Sequence, residues 1–347
     1  MRLNGLPGLV VLLAMTMLCA ACEGQRTSQT WPRPVPFTKV SRPKSGAAAP
    51  VAPAVALTRK GDEQKKSGDL HGALRSFEQA LTANPRHVPA HLGVGDVHQL
   101  LGDYAKAADA YARAQALAPG SFDANYKLAV MQQLLAKIEQ AIANYQTALA
   151  INPDSFEANT NLAAAYMQIG KPHQALPYAE RAVRIEPRTQ QAMLNLGGVY
   201  AAIGQDDQAI ETYRAAADMG DLSPDAAVHL ANSLLRAGHT ERALNVLQIT
   251  TRSHQDHAAS FERLGYVQFR LGDFDQSLQA YETAVRLDGQ DAASLNGLGA
   301  ALMARYLRTS DRSRDQRDRA LDAWRASIRL QPNQPRIVDL INRYQGL

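Results

Sequence analysis

The sequence predicts an all-α chain built as an array of about eight tandem helix pairs, closed by a short C-terminal capping helix. Three observations predict it. From Ala54 the chain repeats every 34 residues through seven units, beginning at 54, 88, 122, 156, 190, 224 and 258, and an eighth, longer unit begins at 292. Within each unit, apolar residues recur at three- and four-residue spacing, the period of one helical face. Gly68, Gly102, Gly170, Gly204, Gly238 and Gly272 recur at one column near mid-unit, where a first helix ends in a left-handed residue and the chain turns back.

Ahead of the repeats lie two segments of different character. Residues 1–21 open with Arg2, continue through an apolar stretch from Leu6 to Ala21 broken by Pro7 and Gly8, and end in small residues. This is the layout of an export signal. It is too short and too interrupted for a span, which needs about 20 apolar residues. Ala20-Ala21-Cys22 resembles a bacterial lipobox, which implies cleavage before Cys22 and a lipid anchor on its sulfur. Cys19 stands where such motifs carry leucine, so a conventional cut leaving an unlipidated secreted protein is the alternative. A lipidated Cys22 accounts for the cysteine usage, since only Cys19 and Cys22 occur in 347 residues and the exported body is then free of thiols. Glu23, in place of the aspartate that favours inner-membrane retention in related lipoproteins, points to the outer membrane facing the periplasm.

Residues 22–53 read as an extended tether. They hold six prolines, including those of "WPRPVPF", and too little apolar content for a core. A docking motif for a proline-binding partner is the alternative. The tether carries five basic residues against Glu23, which leaves 31 basic against 32 acidic residues in 54–347. The formal charge of +4 therefore belongs to the N-terminal segments, and the repeat body lacks the concentrated positive charge of a nucleic-acid binder.

The repeat region, residues 54–335, divides into units 54–87, 88–121, 122–155, 156–189, 190–223, 224–257, 258–291 and 292–335. Three columns of small residues mark where the helices cross closely. One reads Ala73, Ala107, Ala141, Ala175, Ala209, Ala243, Ser277, Ala320, and a second, seven positions later, runs from Ala80 to Ser327. The third alternates glycine and alanine: Gly61, Gly95, Ala129, Ala163, Gly197, Ala231, Gly265, Gly299. Pro85, Pro119, Pro153, Pro187 and Pro332 stop second helices by withdrawing a backbone donor. Units 5 to 7 depart from this, with Asp221, Gln255 and Gly289 in the proline column, which marks a joint. Unit 8 carries nine extra residues between its helices, within "RYLRTSDRSRDQRDRA", and its mixture of arginine and aspartate predicts helix extensions paired along their own surface, with an anion- or partner-binding projection as the alternative. In 336–347, Ile337, Leu340, Ile341 and Tyr344 share one helical face, as a cap over the last unit requires.

These columns resemble the tetratricopeptide repeat (TPR), a 34-residue helix pair, over about 280 of the 347 residues. The resemblance implies a right-handed α-solenoid whose first helices line an inner groove that grips a peptide or helix of another protein. It places groove residues at about the second, fifth, sixth, ninth, twelfth and thirteenth positions of each unit. Carried over here, these give Tyr126, Lys127, Val130, Asn161, Met167, Leu194, Asn195, His229, Asn232, Leu235, Arg263, Tyr266 and Phe269. Apolar groups among them bury partner side chains, and amide and basic groups meet its backbone and charges. The carboxylate clamp of chaperone-binding relatives is absent, because Asn161 and Asn195 follow units that offer Tyr126/Val130 and Thr160/Ala164.

Few residues suggest catalytic or metal chemistry. "GVGD" at 93–96 and "GLGA" at 297–300 fall inside first helices with no preceding strand, so they read as packing glycines. His87/His91 and His254/His257 have no further ligands at metal-site spacing. The expectation is a non-enzymatic adaptor with no cofactor and no metal. It is anchored to the membrane through an N-terminal lipid and binds another protein or peptide, in pilus or secretion assembly or in recruitment of cell-wall enzymes. A self-associating homo-oligomeric array without a separate client is the alternative.

Overall fold

The computed structural model describes residues 51–308 and 314–346. The export signal, Cys22 and the tether as far as residue 50 lie outside the described residues, and residues 51–53, read as the end of the tether, open the first helix. All described secondary structure is helical and runs as antiparallel pairs. The first five pairs are α1 (Val51–Lys66) with α2 (Leu70–Ala83), α3 (Val88–Leu100) with α4 (Tyr104–Leu117), α5 (Phe122–Leu134) with α6 (Ile138–Ile151), α7 (Phe156–Gln168) with α8 (Pro172–Ile185), and α9 (Gln190–Ile203) with α10 (Asp206–Ala217). Then come α11 (Pro224–Arg236) with α12 (Thr240–Ser253), α13 (Ala258–Leu271) with α14 (Phe274–Leu287), and α15 (Ala292–Arg308) with α16 (Arg314–Leu330), followed by α17 (Pro335–Tyr344). The chain divides into two compact bodies between Met219 and Gly220. The division falls two residues before Asp221, the first departure from the proline column.

Local chemistry sets the helix ends. Asp69, Asp103 and Asp273 cap second helices, and Ser121, Ser155 and Ser223 cap first helices, each accepting a backbone N–H from the first turn. The six mid-unit glycines have φ between +66° and +84°. Unit 3 makes the same turn with Ala136 at φ +57°, so its Cβ is strained where the other units have none.

The core uses the small columns as predicted. Ala73, Ala107, Ala141, Ala175, Ala209, Ala243, Ser277 and Ala320 are fully buried. A column that the sequence reading did not single out fills the space they leave: Phe77, Tyr111, Tyr145, Tyr213 and Tyr281, also buried, one per second helix at the twenty-fourth position. The Phe77, Tyr111, Tyr213 and Tyr281 rings lie against first helices where glycine omits a side chain. A Cβ on Gly61 or Gly93 would meet the Phe77 ring at 2.7 or 2.5 Å, and one on Gly265 or Gly297 the Tyr281 ring at 2.9 or 2.1 Å. One ring thus packs on its own unit and the next.

The insertion in unit 8 lengthens both of its helices to 17 residues. Residues 309–313, between them, lie outside the described residues. Pairing within a helix accounts for part of its charge, as in Arg317 with the adjacent Asp318 at 2.8 Å. The longer reach is lateral: Arg305 pairs with Asp275 at 3.3 Å and Arg319 with Glu282 at 2.8 Å, both on α14. The last helix lays Ile337, Ile341 and Tyr344 onto this end of the core, with Tyr344 6.4 Å from the Trp324 ring.

Two neighbouring kinds of helical glycine behave oppositely on substitution. Gly95→Ala drives its Cβ to 2.4 Å from Tyr111 and lowers unfolding free energy by about 1–3 kcal/mol. Gly198→Ala meets only the Tyr213 hydroxyl at 3.6 Å and raises it by about 0.5–1 kcal/mol, because alanine costs less helix entropy. Urea unfolding of both variants checks this.

Candidate protein-binding surface

In the first body, the first helices carry a charged row. Asp96, on α3, accepts from Lys65 Nζ of α1 at 2.7 Å, from Lys127 Nζ of α5 at 2.6 Å, and from the Tyr111 hydroxyl at 2.8 Å. Lys127 also lies 5.8 Å from the centre of the Tyr111 ring. Burial opposes ionisation of Asp96, but the hydrogen bonds from Lys127 and Lys65, the Lys127 charge and the Tyr111 hydroxyl hold its carboxyl below the usual aspartate range. Burial, with the Asp96 charge beside it, pushes the Tyr111 hydroxyl far up. The sequence reading found Lys127 and missed Lys65 and Asp96. The signal was available: the three sit 31 residues apart, three short of a repeat, so each step moves one unit along and one helical turn back.

Tyr126, next to Lys127 on α5, stacks on Phe122 at 5.6 Å, leans on Tyr145 at 6.0 Å, and accepts from Asn161 Nδ2 at 3.1 Å. The structure therefore brings Tyr126 and Asn161 together, across units 3 and 4. Met167 is half-buried against the core of units 3 and 4, and Asn195 accepts from Gln191 within its own helix at 2.9 Å. Two leucines at the thirteenth position of successive units, Leu100 and Leu134, remain 62% and 54% exposed. They share the register that the resemblance assigns to the groove, yet the sequence reading did not name them.

In the second body, His229 is exposed and Asn232 half-buried on α11. Arg263 lies 5.3 Å from the Tyr266 ring and 3.5 Å from Glu262, and its buried Nε has no hydrogen-bond partner. Burial raises the Glu262 carboxyl, against the pull of Arg263. The structure buries Phe269 instead of offering it to a partner. It is 4% exposed and meets Phe274 edge-on at 4.9 Å, because Phe274 opens the adjoining helix and needs an apolar neighbour. Leu235 is likewise buried. A twelfth-position apolar residue at these two sites serves the core.

Among the described residues, no three His, Cys, Asp or Glu side chains are grouped as a metal would need. No described helix is long and apolar enough to cross a membrane. What the arrangement offers is a set of rigid helix faces carrying fixed charges, aromatic rings and exposed leucines. Such a surface can recognise a polypeptide.

Stacked helix pairs with that surface define a helical-repeat protein of the protein-binding class. Tetratricopeptide-repeat profiles match residues 58–122, 160–227, 229–292 and 263–305, and a further TPR-repeat profile matches 137–170. The chain belongs to the tetratricopeptide repeat family, whose members bind other proteins or peptides and are generally non-catalytic scaffolds. Against the curated proteins the sequence has no match. Among solved structures, a tetratricopeptide repeat protein from Parabacteroides merdae is similar at 16% identity and a TM-score of 0.51, covering 72% of this chain and 99% of that one. PilF of Pseudomonas aeruginosa is similar at 17% identity and 0.51, covering 60% and 95%. The APC/C hetero-tetramer Cut9–Hcn1 gives 17% and 0.55, covering 83% and 55%. These likenesses are of fold.

The Asp96 row sets a pH-dependent contribution to stability. Asp96→Asn keeps the shape and removes the charge, and costs about 1–3 kcal/mol at pH 7. Because the folded carboxyl titrates below its unfolded value of about 3.9, the wild-type advantage is full above that value. It disappears as pH falls through the folded value. Chemical unfolding of both proteins between pH 7 and pH 3 measures the converging difference.

Proposed function

We propose that the protein is an envelope-anchored adaptor. It is held to the membrane by a lipid on Cys22, carried outward by the 22–53 tether, and binds a partner polypeptide along its first-helix faces. The observation that carries the binding surface is the register of Leu100 and Leu134, left exposed in successive units of the body that holds the Lys65–Asp96–Lys127 row. Exposed leucines in register are costly to leave in water unless a partner covers them. The fixed charges beside them in the first helices orient a polar segment at little ordering cost. Arg263 and Tyr266, stacked and half-buried in the second body, give a further contact. Recruitment of a client in pilus or secretion assembly, or of a cell-wall enzyme, fits a membrane-held adaptor of this kind.

Two experiments test the proposal. Affinity capture from envelope extract is expected to recover a discrete partner with the wild-type chain and at least ten-fold less with Leu100→Lys/Leu134→Lys. Arg263→Ala/Tyr266→Ala is expected to reduce recovery more modestly. Equal recovery by the leucine variant refutes the surface, and a discrete homo-oligomer without a client favours the self-associating array. For the anchor, metabolic labelling with an alkyne fatty acid is expected to mark the wild-type chain and leave Cys22→Ser unlabelled and released from membranes. A wild-type chain that stays unlabelled and soluble refutes lipidation.

A further inference from the structure

A second site lies on the opposite, second-helix side of the first body, where units 3 and 4 meet. One polar network there is present at one junction and broken at the next. Between units 2 and 3, the buried Asn125 donates to the Pro119 and Ser121 carbonyls at 2.9 and 2.7 Å, and Gln115 Nε2 donates to its Oδ1 at 2.7 Å. Gln115 also donates to Asn144 at 2.6 Å. Between units 3 and 4, the equivalent Asn159, 1% exposed, donates to the Pro153 and Ser155 carbonyls at 2.9 and 2.8 Å. The residue in the place of Gln115 is now Leu149, and that in the place of Asn144 is Tyr178. Leucine has nothing to donate, and Asn159 Oδ1 is left without a hydrogen bond. A buried acceptor without a partner costs on the order of 1–3 kcal/mol, so this position favours an incoming donor.

At the same junction lies a pocket of about 490 Å³, of the size that holds ligands. Asn159, Leu149, Pro177 and Tyr178 line it, with Arg181 and Arg184 beside them. The unit-4 second helix carries Ala179 where four of the other second helices place tyrosine, and its aromatic ring is moved one residue back to Tyr178. There it stacks on Tyr166 at 5.9 Å, and Tyr166 is fixed by Gln146 at 2.8 Å, so the wall is rigid. The lining contains two guanidinium groups and no carboxylate. Arg181 pairs with Asp154 at 3.0 Å outside the lining, and Arg184, exposed, has no ion-pair partner among the described residues.

We propose that this pocket binds an acidic peptide segment through an aromatic residue with a hydrogen-bond donor. A tryptophan ring fills the space against Pro177 and Tyr178, and with the Leu149 side chain turned aside its indole N–H donates to Asn159 Oδ1, which is buried in the unliganded structure. Carboxylates following it meet Arg184 and Arg181, which stand one helical turn apart. The site is separate from the first-helix face and does not depend on the adaptor reading.

The test uses the purified protein and the blocked tripeptide amide Ac-Trp-Asp-Glu-NH2, followed by two-dimensional NMR and calorimetry. Saturable shifts confined to residues 146–184 are expected, with at least ten-fold weaker binding of Ac-Phe-Asp-Glu-NH2, which has no side-chain donor, and of Ac-Trp-Asn-Gln-NH2, which has no side-chain charge. Leu149→Gln restores the donor found at the preceding junction and satisfies Asn159 from within. It is expected to abolish binding without lowering the melting temperature. Arg184→Glu, at an exposed position, is expected to weaken binding ten-fold or more with folding unchanged. Absence of binding by the wild-type protein, equal binding of the tryptophan and phenylalanine peptides, or binding unaffected by both substitutions overturns the proposal.

Discussion

The ring at the twenty-fourth position of a repeat is the piece on which the stacking depends. Where it packs flat against the backbone of its own first helix and of the next one, both helices present glycine. Phe77 between Gly61 and Gly93, and Tyr281 between Gly265 and Gly297, show both sides of that contact. A helix pair of this size cannot bury its own apolar face, so each pair depends on its neighbour for burial, and stability accumulates along a stack.

The same ring links the core to the binding surface. A tyrosine there is long enough to put its hydroxyl on the first-helix side, where Tyr111 reaches Asp96 and Tyr145 donates to Gln133 at 2.8 Å. The polar row that runs from unit to unit therefore rests on core residues, which hold Lys65, Asp96 and Lys127 in place. Where the ring is missing, the neighbourhood changes. In unit 4 it is replaced by Ala179, and the aromatic group moves to Tyr178, which lines the pocket of about 490 Å³. In unit 6 Leu247 takes the position and is fully buried as an aliphatic filler.

Much of this was legible in the sequence. A fixed 34-residue period with small residues in register leaves one arrangement of helices, because any slip would set large side chains at the crossings. The turn glycines, the capping residues and the terminal cap could be read the same way. The candidate surface was less legible. Its positions followed from the register, but register cannot tell whether a side chain at a given position faces water or a neighbour. Phe269 and Leu235 occupy groove positions by number and are claimed by the core, whereas Leu100 and Leu134 occupy one and stay exposed. Lys127 read as an available cation, although Asp96, from the preceding unit, already holds it.

The sequence by itself determined the helices, their pairing, the turns between them and the residues small enough to let them approach, since these depend on local conformational preference and on a period that one chain displays in full. Only the tertiary structure decided which carboxylate meets which lysine, which leucines stay in water, and where a missing glutamine donor leaves Asn159 Oδ1 buried and unpaired. Those outcomes depend on contacts between side chains about thirty residues apart, and small differences in packing at each junction settle them.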